Sequence, residues 1–155
     1  MLRGKVLIDC NNAVEVQRFT LVTEPGTSLA EQIAAQTGAR VVKALNQTHF
    51  HVWQQRARYA ERPPVVPLAG DEDAKEIVAA LVRDAGGEPL DAGGIEQAHN
   101  LEAMAAVIIR ILFGGADSLS AFQLTVGTPA GRIGSSPAPD VAQDDGLPSI
   151  PRLQP

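Results

Sequence analysis

Polar side chains able to hold a small molecule gather at four places: Asp9-Cys10-Asn11-Asn12, Leu45-Asn46-Gln47-Thr48, Ala69-Gly70-Asp71 and Asp91-Ala92-Gly93. Each follows a short apolar run that reads as a strand, and in open α/β sheets ligands lie outside the carboxyl ends of the strands. Amide and carboxylate groups placed there can hydrogen-bond a carboxamide or a polar heterocycle. The same residue types also make turns and helix caps, and spacing alone leaves both uses open. Other chemistries find less support. His49 and His51 are two apart, so they face different sides of a helix or the same side of an extended segment; with no third ligand nearby, no metal site is expected. Cys10 has no Lys, Arg or His beside it in sequence to activate it as a thiolate, and reads as a small buried hydrophobe. Ser28 is explained by capping, and no G-x-S-x-G elbow occurs. A phosphate cradle of the form G-x-G-x-x-G or G-x-x-x-x-G-K-[ST] is also missing, since Gly127, Gly131 and Gly134 have the wrong spacing. No residue is singled out as catalytic.

The elements that must position these residues are legible in outline. Lys5-Val6-Leu7-Ile8-Asp9 is a continuous apolar run closed by an acidic residue, the pattern of a strand buried on both faces. Residues 13 to 27 alternate weakly and end in Thr23-Glu24-Pro25-Gly26, so the stretch is expected to be mostly irregular. Ser28 and Glu31 form a capping box for a helix from Leu29 to Gln36, and Gly38 is its left-handed stop. Arg40 to Leu45 is a strand rich in β-branched residues, followed by a weaker helical stretch from about Thr48 to Arg58. Val65 to Leu68 is a third strand, in which Pro67 lacks a ladder donor and argues for an edge or a strand end. Ala74, Ile77, Val78, Leu81, Val82 and Ala85 fall at helical spacing before Gly86-Gly87. Glu88 to Asp91 is a short fourth strand, and a helix from Ile95 to Phe113 ends at Gly114-Gly115. Its stripe Leu101, Met104, Ala105, Ile108 and Leu112 reads as core or subunit interface. Strands alternating with helices predict an α/β fold in which right-handed crossovers lay helices over the faces of a mostly parallel sheet.

Composition limits the function classes. The chain has 155 residues, 45% of them hydrophobic, which suffices for one core. Its 13 basic against 18 acidic residues give a net charge of −5, so no broad basic face is available and no nucleic-acid partner is expected. One cysteine excludes an internal disulfide framework and fits a reducing cytoplasm. No run reaches the roughly 18 apolar residues needed to cross a bilayer, so no membrane partner is expected. From Gly127 onward the chain is rich in proline and glycine with little apolar periodicity, and reads as a disordered tail.

Three strings taken in order resemble a known family, the coenzyme F420-dependent NADP oxidoreductases and their flavin-using relatives. Gly4-Lys5-Val6-Leu7-Ile8-Asp9-Cys10-Asn11-Asn12 is similar to the family's G-K-V-[VL]-I-D-x-[TS]-N, and Gly38-Ala39-Arg40-Val41-Val42-Lys43-Ala44-Leu45-Asn46 to G-A-R-V-V-K-A-F-N. Ala69-Gly70-Asp71-Glu72-Asp73-Ala74-Lys75, Pro89-Leu90-Asp91-Ala92-Gly93 and Leu101-Glu102 follow a G-D-D-x-x-A-K helix start, a P-x-D-A-G turn and a final helix carrying L-E. The agreement runs in order from residue 4 to about 113. Asn11, Ala13, Leu45 and His99-Asn100 depart from the usual residues and bear on substrate identity.

The resemblance implies that residues 1–115 are the C-terminal portion of a partial Rossmann-like, NAD(P)-binding α/β domain, with a Pro/Gly-rich tail over 116–155. It implies a reductase that passes hydride between the nicotinamide of NADP(H) and an F420 deazaflavin or flavin ring. Asn11 and Asn12 would lie near the nicotinamide, Ala44, Leu45 and Asn46 beside the second ring, and the final helix would close the pocket and a dimer. The family's first βαβαβ half, which carries the Gly-rich phosphate turn, has no counterpart here. The isolated chain is therefore expected to be inactive. Strand 5–9 is expected to offer an apolar edge through which the chain forms a homodimer or pairs with another polypeptide. The alternatives are a non-catalytic dimerisation or interaction module derived from that family, and a small-molecule binder using the strand-end pocket.

Overall fold

The computed structural model describes residues 2 to 118. Apart from 116–118, the expected tail lies outside the described residues. Six strands and four α-helices follow in the order β1 (Val6–Asp9), β2 (Val14–Glu15), β3 (Thr20–Leu21), α1 (Leu29–Thr37), β4 (Arg40–Lys43), α2 (Phe50–Gln54), β5 (Val65–Gly70), α3 (Glu72–Asp84), β6 (Glu88–Asp91) and α4 (Ala98–Phe113). Short 3-10 turns, Arg56–Tyr59 and Ile95–Gln97, follow α2 and lead into α4. The main sheet has the order β1-β4-β5-β6, with β1 parallel to β4 and β5 parallel to β6. This is the expected α/β, partial Rossmann-like arrangement, a mostly parallel sheet flanked by helices.

One pairing departs from the pattern. β4 and β5 run antiparallel and overlap only at Val42 with Gly70 and Lys43 with Ala69. The two backbones come so close there that a Cβ on Gly70 would lie 2.2 Å from the Val41 carbonyl oxygen, and the φ of +154° is itself one that other residues rarely adopt. Pro67 is therefore neither in an edge strand nor at a strand end, the two places its missing donor led one to expect, but within the interior strand β5. Glu88 N donates to Pro64 O and Ala92 N to Leu68 O, so the even-numbered residues of β5 bond toward β6. Pro67 faces the other way, past the end of the β4 overlap, where no ladder donor is needed.

The two-residue period of β4 divides the core between the sheet's faces. Val42 and Ala44 point to one face, where Val66, Leu68 and α3 residues Ala74, Val78 and Val82 are buried with them. Val41 points to the other, against Ala30 of α1 and Ala98 of α4. Only part of the apolar stripe of α3 is used: Ile77 and Leu81 remain about half exposed.

Local signals were realised closely. Ser28 accepts from Glu31 N at 3.1 Å while Glu31 Oε2 accepts from Ser28 N at 2.7 Å, and Gly38 ends α1 at φ +67°. One expectation needs correction. β1 is an edge strand with one neighbour among the described residues, so Val6, Leu7 and Ile8 are half-buried rather than covered on both faces. The stretch 13–27 is mostly irregular, as expected, and holds a small antiparallel ribbon, β2 with β3. Tertiary contact steadies it: the Phe19 ring meets Phe113 of α4 edge-on at 5.4 Å, and the Arg110 guanidinium sits over Phe19.

Candidate functional site

The carboxyl ends of the parallel pair β1 and β4 meet under α4, and an open groove of about 220 Å³ lies between them. Cys10, Asn12 and the segment Leu45 to His49 form one wall; Ala105, Ile108, Ile109 and Leu112 of α4 form the other. Of the residues expected to bind cofactor, Asn12, Leu45 and Asn46 share this groove. Asn11 turns back to β1, its Nδ2 donating to Asp9 Oδ1 at 3.0 Å. Ala44 is wholly buried in the α3-side core. Cys10, expected to be buried, is exposed at the groove because β1 has already ended.

Amide groups tie the groove together. Asn12 Nδ2 donates to the Asn46 carbonyl oxygen at 3.0 Å, and Asn46 Nδ2 donates to Asn12 Oδ1 at 2.9 Å and to the Leu101 carbonyl oxygen at 3.2 Å. Gln47 Nε2 donates to the same Leu101 oxygen. Leu45 reaches the groove by a left-handed turn at φ +64°, a conformation costing a leucine about 1 to 3 kcal/mol and often found where a ligand site dictates backbone shape. The turn ends β4 at Lys43 and swings Asn46 beneath α4.

Beneath the groove lies a charge cluster that sequence reasoning had not assembled. Lys43 alternates with Val42 and so points to the α1/α4 side, as does Asp9 beside it in register. Lys43 Nζ donates to Asp9 Oδ2 at 2.7 Å and to the Asn11 carbonyl oxygen at 2.6 Å, and forms an ion pair with Glu102 Oε1 at 2.7 Å. All three charged side chains are fully buried. Two carboxylates against one ammonium leave an excess negative charge. Glu102 relieves it at the start of α1, accepting from Leu29 N at 3.0 Å, where the helix dipole favours an anion. Through Asn11 the cluster pins the loop that presents Asn12. Its one sequence signal was a lysine inside a β-branched run and an aspartate closing another, with nothing to say that they met.

His49 lines the groove and caps α2 through Nδ1, which accepts from His51 N at 3.3 Å. Because the cap residue is extended, the two imidazoles are not splayed as on a helix; their centroids are 4.6 Å apart. Burial, aided by the neighbouring His51, holds the His49 pKa below its ordinary 6.5. On the far edge of the sheet, Lys75 Nζ bonds Asp91 Oδ1 and, at 2.9 Å, Glu72 Oε1. Burial would lower the Lys75 pKa, but the two carboxylates outweigh it and raise it; the bond to Lys75 in turn lowers that of Asp91.

A mostly parallel α/β sheet with polar groups gathered at its strand ends defines a partial Rossmann-like domain. Comparison with known proteins agrees. The structure is similar to that of a candidate F420-dependent NADP-reductase from Arthrobacter sp. FB24, with a TM-score of 0.64 and 32% identity over 73% of this chain and 54% of that one. It is also similar to a hypothetical protein from Sinorhizobium meliloti, with a TM-score of 0.53 and 27% identity over 61% of this chain and 48% of that one. In sequence it is 33% identical over 104 residues to metalloreductase STEAP3 of Rattus norvegicus, which takes in 66% of this chain and 20% of that protein. No family model matches. The chain thus resembles the coenzyme F420-dependent NADP oxidoreductases, and the relatives with a described activity are reductases. It spans 54% of the Arthrobacter chain and 20% of the rat protein.

Proposed function

We propose that the chain is the ring-binding portion of an NADPH-dependent reductase that moves hydride between nicotinamide and an F420 deazaflavin or a flavin. The single observation that carries this reading is the groove where Asn12 and Asn46, from the ends of two parallel strands, are locked together under α4. Ligand clefts usually hold about 300 to 1,000 Å³. At about 220 Å³ the groove suits one heterocycle rather than a whole dinucleotide, and the sequence contains no Gly-rich phosphate turn.

When bound, the nicotinamide and the second ring supply the hydride chemistry themselves, so the protein needs no catalytic base. The chain's own residues orient and exclude water: Asn12 and Asn46 set a rigid polar wall, Leu45 and the α4 residues Ile108 and Leu112 an apolar one. Lys43 fixes the loop between them. Residues 1–115 act in this reading as the C-terminal portion of the reductase domain, in the cytoplasm, with small-molecule cofactors as ligands and not nucleic acid or membrane. Among the described residues no helix is long and apolar enough to cross a membrane.

The test is binding, followed by turnover. Titrating the full chain with NADPH, F420 and FMN should shift the amide resonances of Asn12, Leu45 and Asn46, and Asn46→Ala should weaken that binding severalfold. Hydride transfer, followed by loss of NADPH absorbance, is expected only with the phosphate-binding half of a reductase supplied. A second reading is favoured by the edge of β1, which has no neighbour among the described residues, and by the exposed Val107, Ile111 and Phe113 on α4. In it the chain is an interaction module, forming a homodimer or pairing with another chain along the edge of strand 5–9. Association with a full-length F420-dependent NADP reductase, without any affinity for NADPH, F420 or FMN, would establish the module and exclude the enzyme.

A further inference from the structure

The sheet ends in two edges that differ in kind. On β6, Glu88 N and Ala92 N bond toward β5, so Pro89 and Asp91 turn their backbone outward. Pro89 has no N–H to offer there, and the exposed carboxylates of Glu88 and Asp91 flank it, both common means of keeping an edge from pairing. On β1, Arg40 N donates to Lys5 O and Ala44 N to Asp9 O, so the odd-numbered residues bond toward β4 and Val6 and Ile8 turn their backbone outward. Neither is a proline, neither carries a charge, and no strand lies beyond them among the described residues. Both faces of that edge are apolar: Val6 and Ile8 pack toward the α3 side, Leu7 toward the α1/α4 side.

This short segment is complementary to itself. Turned about a two-fold axis at Leu7, two copies of β1 run antiparallel with Val6 of each opposite Ile8 of the other. The outward N–H and C=O groups of both residues then pair, in about four hydrogen bonds. The two-residue period carries Lys5 to the same face as Leu7 and Asp9, and the same register sets Lys5 of one copy opposite Asp9 of the other. Opposite charges are thereby matched, at the place where Asp9 and Glu102 share one ammonium. Lys5 itself is exposed. A shift of register fits less well. It would set Ile8 against Gly4, whose N–H already bonds Gly38 O, or Val6 against Cys10, which lies beyond the end of β1. We propose that the partner of this edge is a second copy of the chain, paired antiparallel through Val6 and Ile8 about an axis at Leu7. This deepens the homodimer of the second reading and rests on that reading, not on the ring site. The contact uses the same surface of both copies and so closes after two; the joined sheet then ends on both sides at a Pro89 edge.

The experiment is sedimentation of the full chain over a range of concentrations, paired with amide hydrogen exchange. The expected result is a monomer–dimer equilibrium in which the Val6 and Ile8 amides gain protection as the dimer forms, while those of Leu7 and Asp9, already bonded within the β1–β4 ladder, change less. Val6→Pro removes half of the new bonds and none within one chain, because Val6 N faces outward. It should weaken the dimer by at least about tenfold while circular dichroism shows the fold kept. In a Cys10→Ser background, where no other thiol remains, Leu7→Cys should join two copies by a disulfide, since residues facing each other at such a position have Cα atoms about 4.5 Å apart. A monomer at every concentration overturns the proposal and the homodimer with it. A dimer whose Val6 and Ile8 amides exchange freely, or in which Leu7→Cys forms no cross-link, overturns the proposal alone and moves the contact to another face, such as the exposed Val107 and Ile111 of α4. These outcomes are read whether or not Val6→Pro folds; if it folds and dimerises as the parent does, the pairing through Val6 is equally overturned.

Discussion

Lys43 and Asp9 face each other across the β1–β4 ladder with Nζ 2.7 Å from Oδ2, both side chains fully buried, and Glu102 completes the cluster from α4 at the same distance from Nζ. The sheet, α1 and α4 are thereby joined at a single ammonium group. Removing one partner of a buried ion pair is costly because the other is left charged and unpaired. Lys43→Met should therefore lower the unfolding free energy by about 3 to 5 kcal/mol in a urea titration. Adding Asp9→Asn and Glu102→Gln should recover part of the loss; a triple variant as unstable as the single one would show that packing, not charge, is at stake.

Gly70 marks a close backbone approach in the sheet. Gly70→Ala brings a methyl group to 2.2 Å from Val41 O, and neither strand can withdraw without breaking the β4–β5 overlap. A loss of about 2 to 3 kcal/mol is expected from overpacking, measured by thermal melting. Gly26, which has open space around it at φ +79°, should accept Asn for under about 1 kcal/mol.

His49 gives the site a pH dependence whose sign follows from burial. Its folded pKa lies below the ordinary 6.5, so the unfolded chain takes up the proton first as pH falls. Above 6.5 the group is neutral in both states and neither helps nor harms; below it, stability should decline until the folded pKa is passed. Imidazole titration by NMR should show the His49 midpoint below that of a free histidine. His51→Gln should move it up, since one neighbouring positive charge is removed.

The Asn12–Asn46 pair should behave as a unit. Each alanine substitution removes bonds that the other residue uses, so a double-mutant cycle by chemical denaturation should give a coupling of about 1 kcal/mol. Additive losses would mean that the two amides hold the loops independently.

What the sequence determined by itself was local. The Ser28–Glu31 box and the Gly38 stop were legible because their hydrogen bonds close within a few residues, and the order of the main-sheet strands and the helices was legible from apolar runs and helical spacing. The polar strand ends at Asn12 and Asn46 were legible as a place where chemistry could sit, and resemblance supplied a family of reactions. Tertiary structure alone decided the rest. Pro67 in an interior strand, the antiparallel β4–β5 contact and the half-covered β1 depend on which strands become neighbours, a choice that periodicity does not carry. The same holds for the partners of Lys43 and Gln47. Asp9 lies 34 residues from Lys43, and Leu101 lies 54 from Gln47, so those bonds exist only after the sheet has formed and α4 has folded across its end. A side chain's type states which bonds it can make; over such separations only packing states with whom, because the partner is chosen by the fold and not by the chain around it.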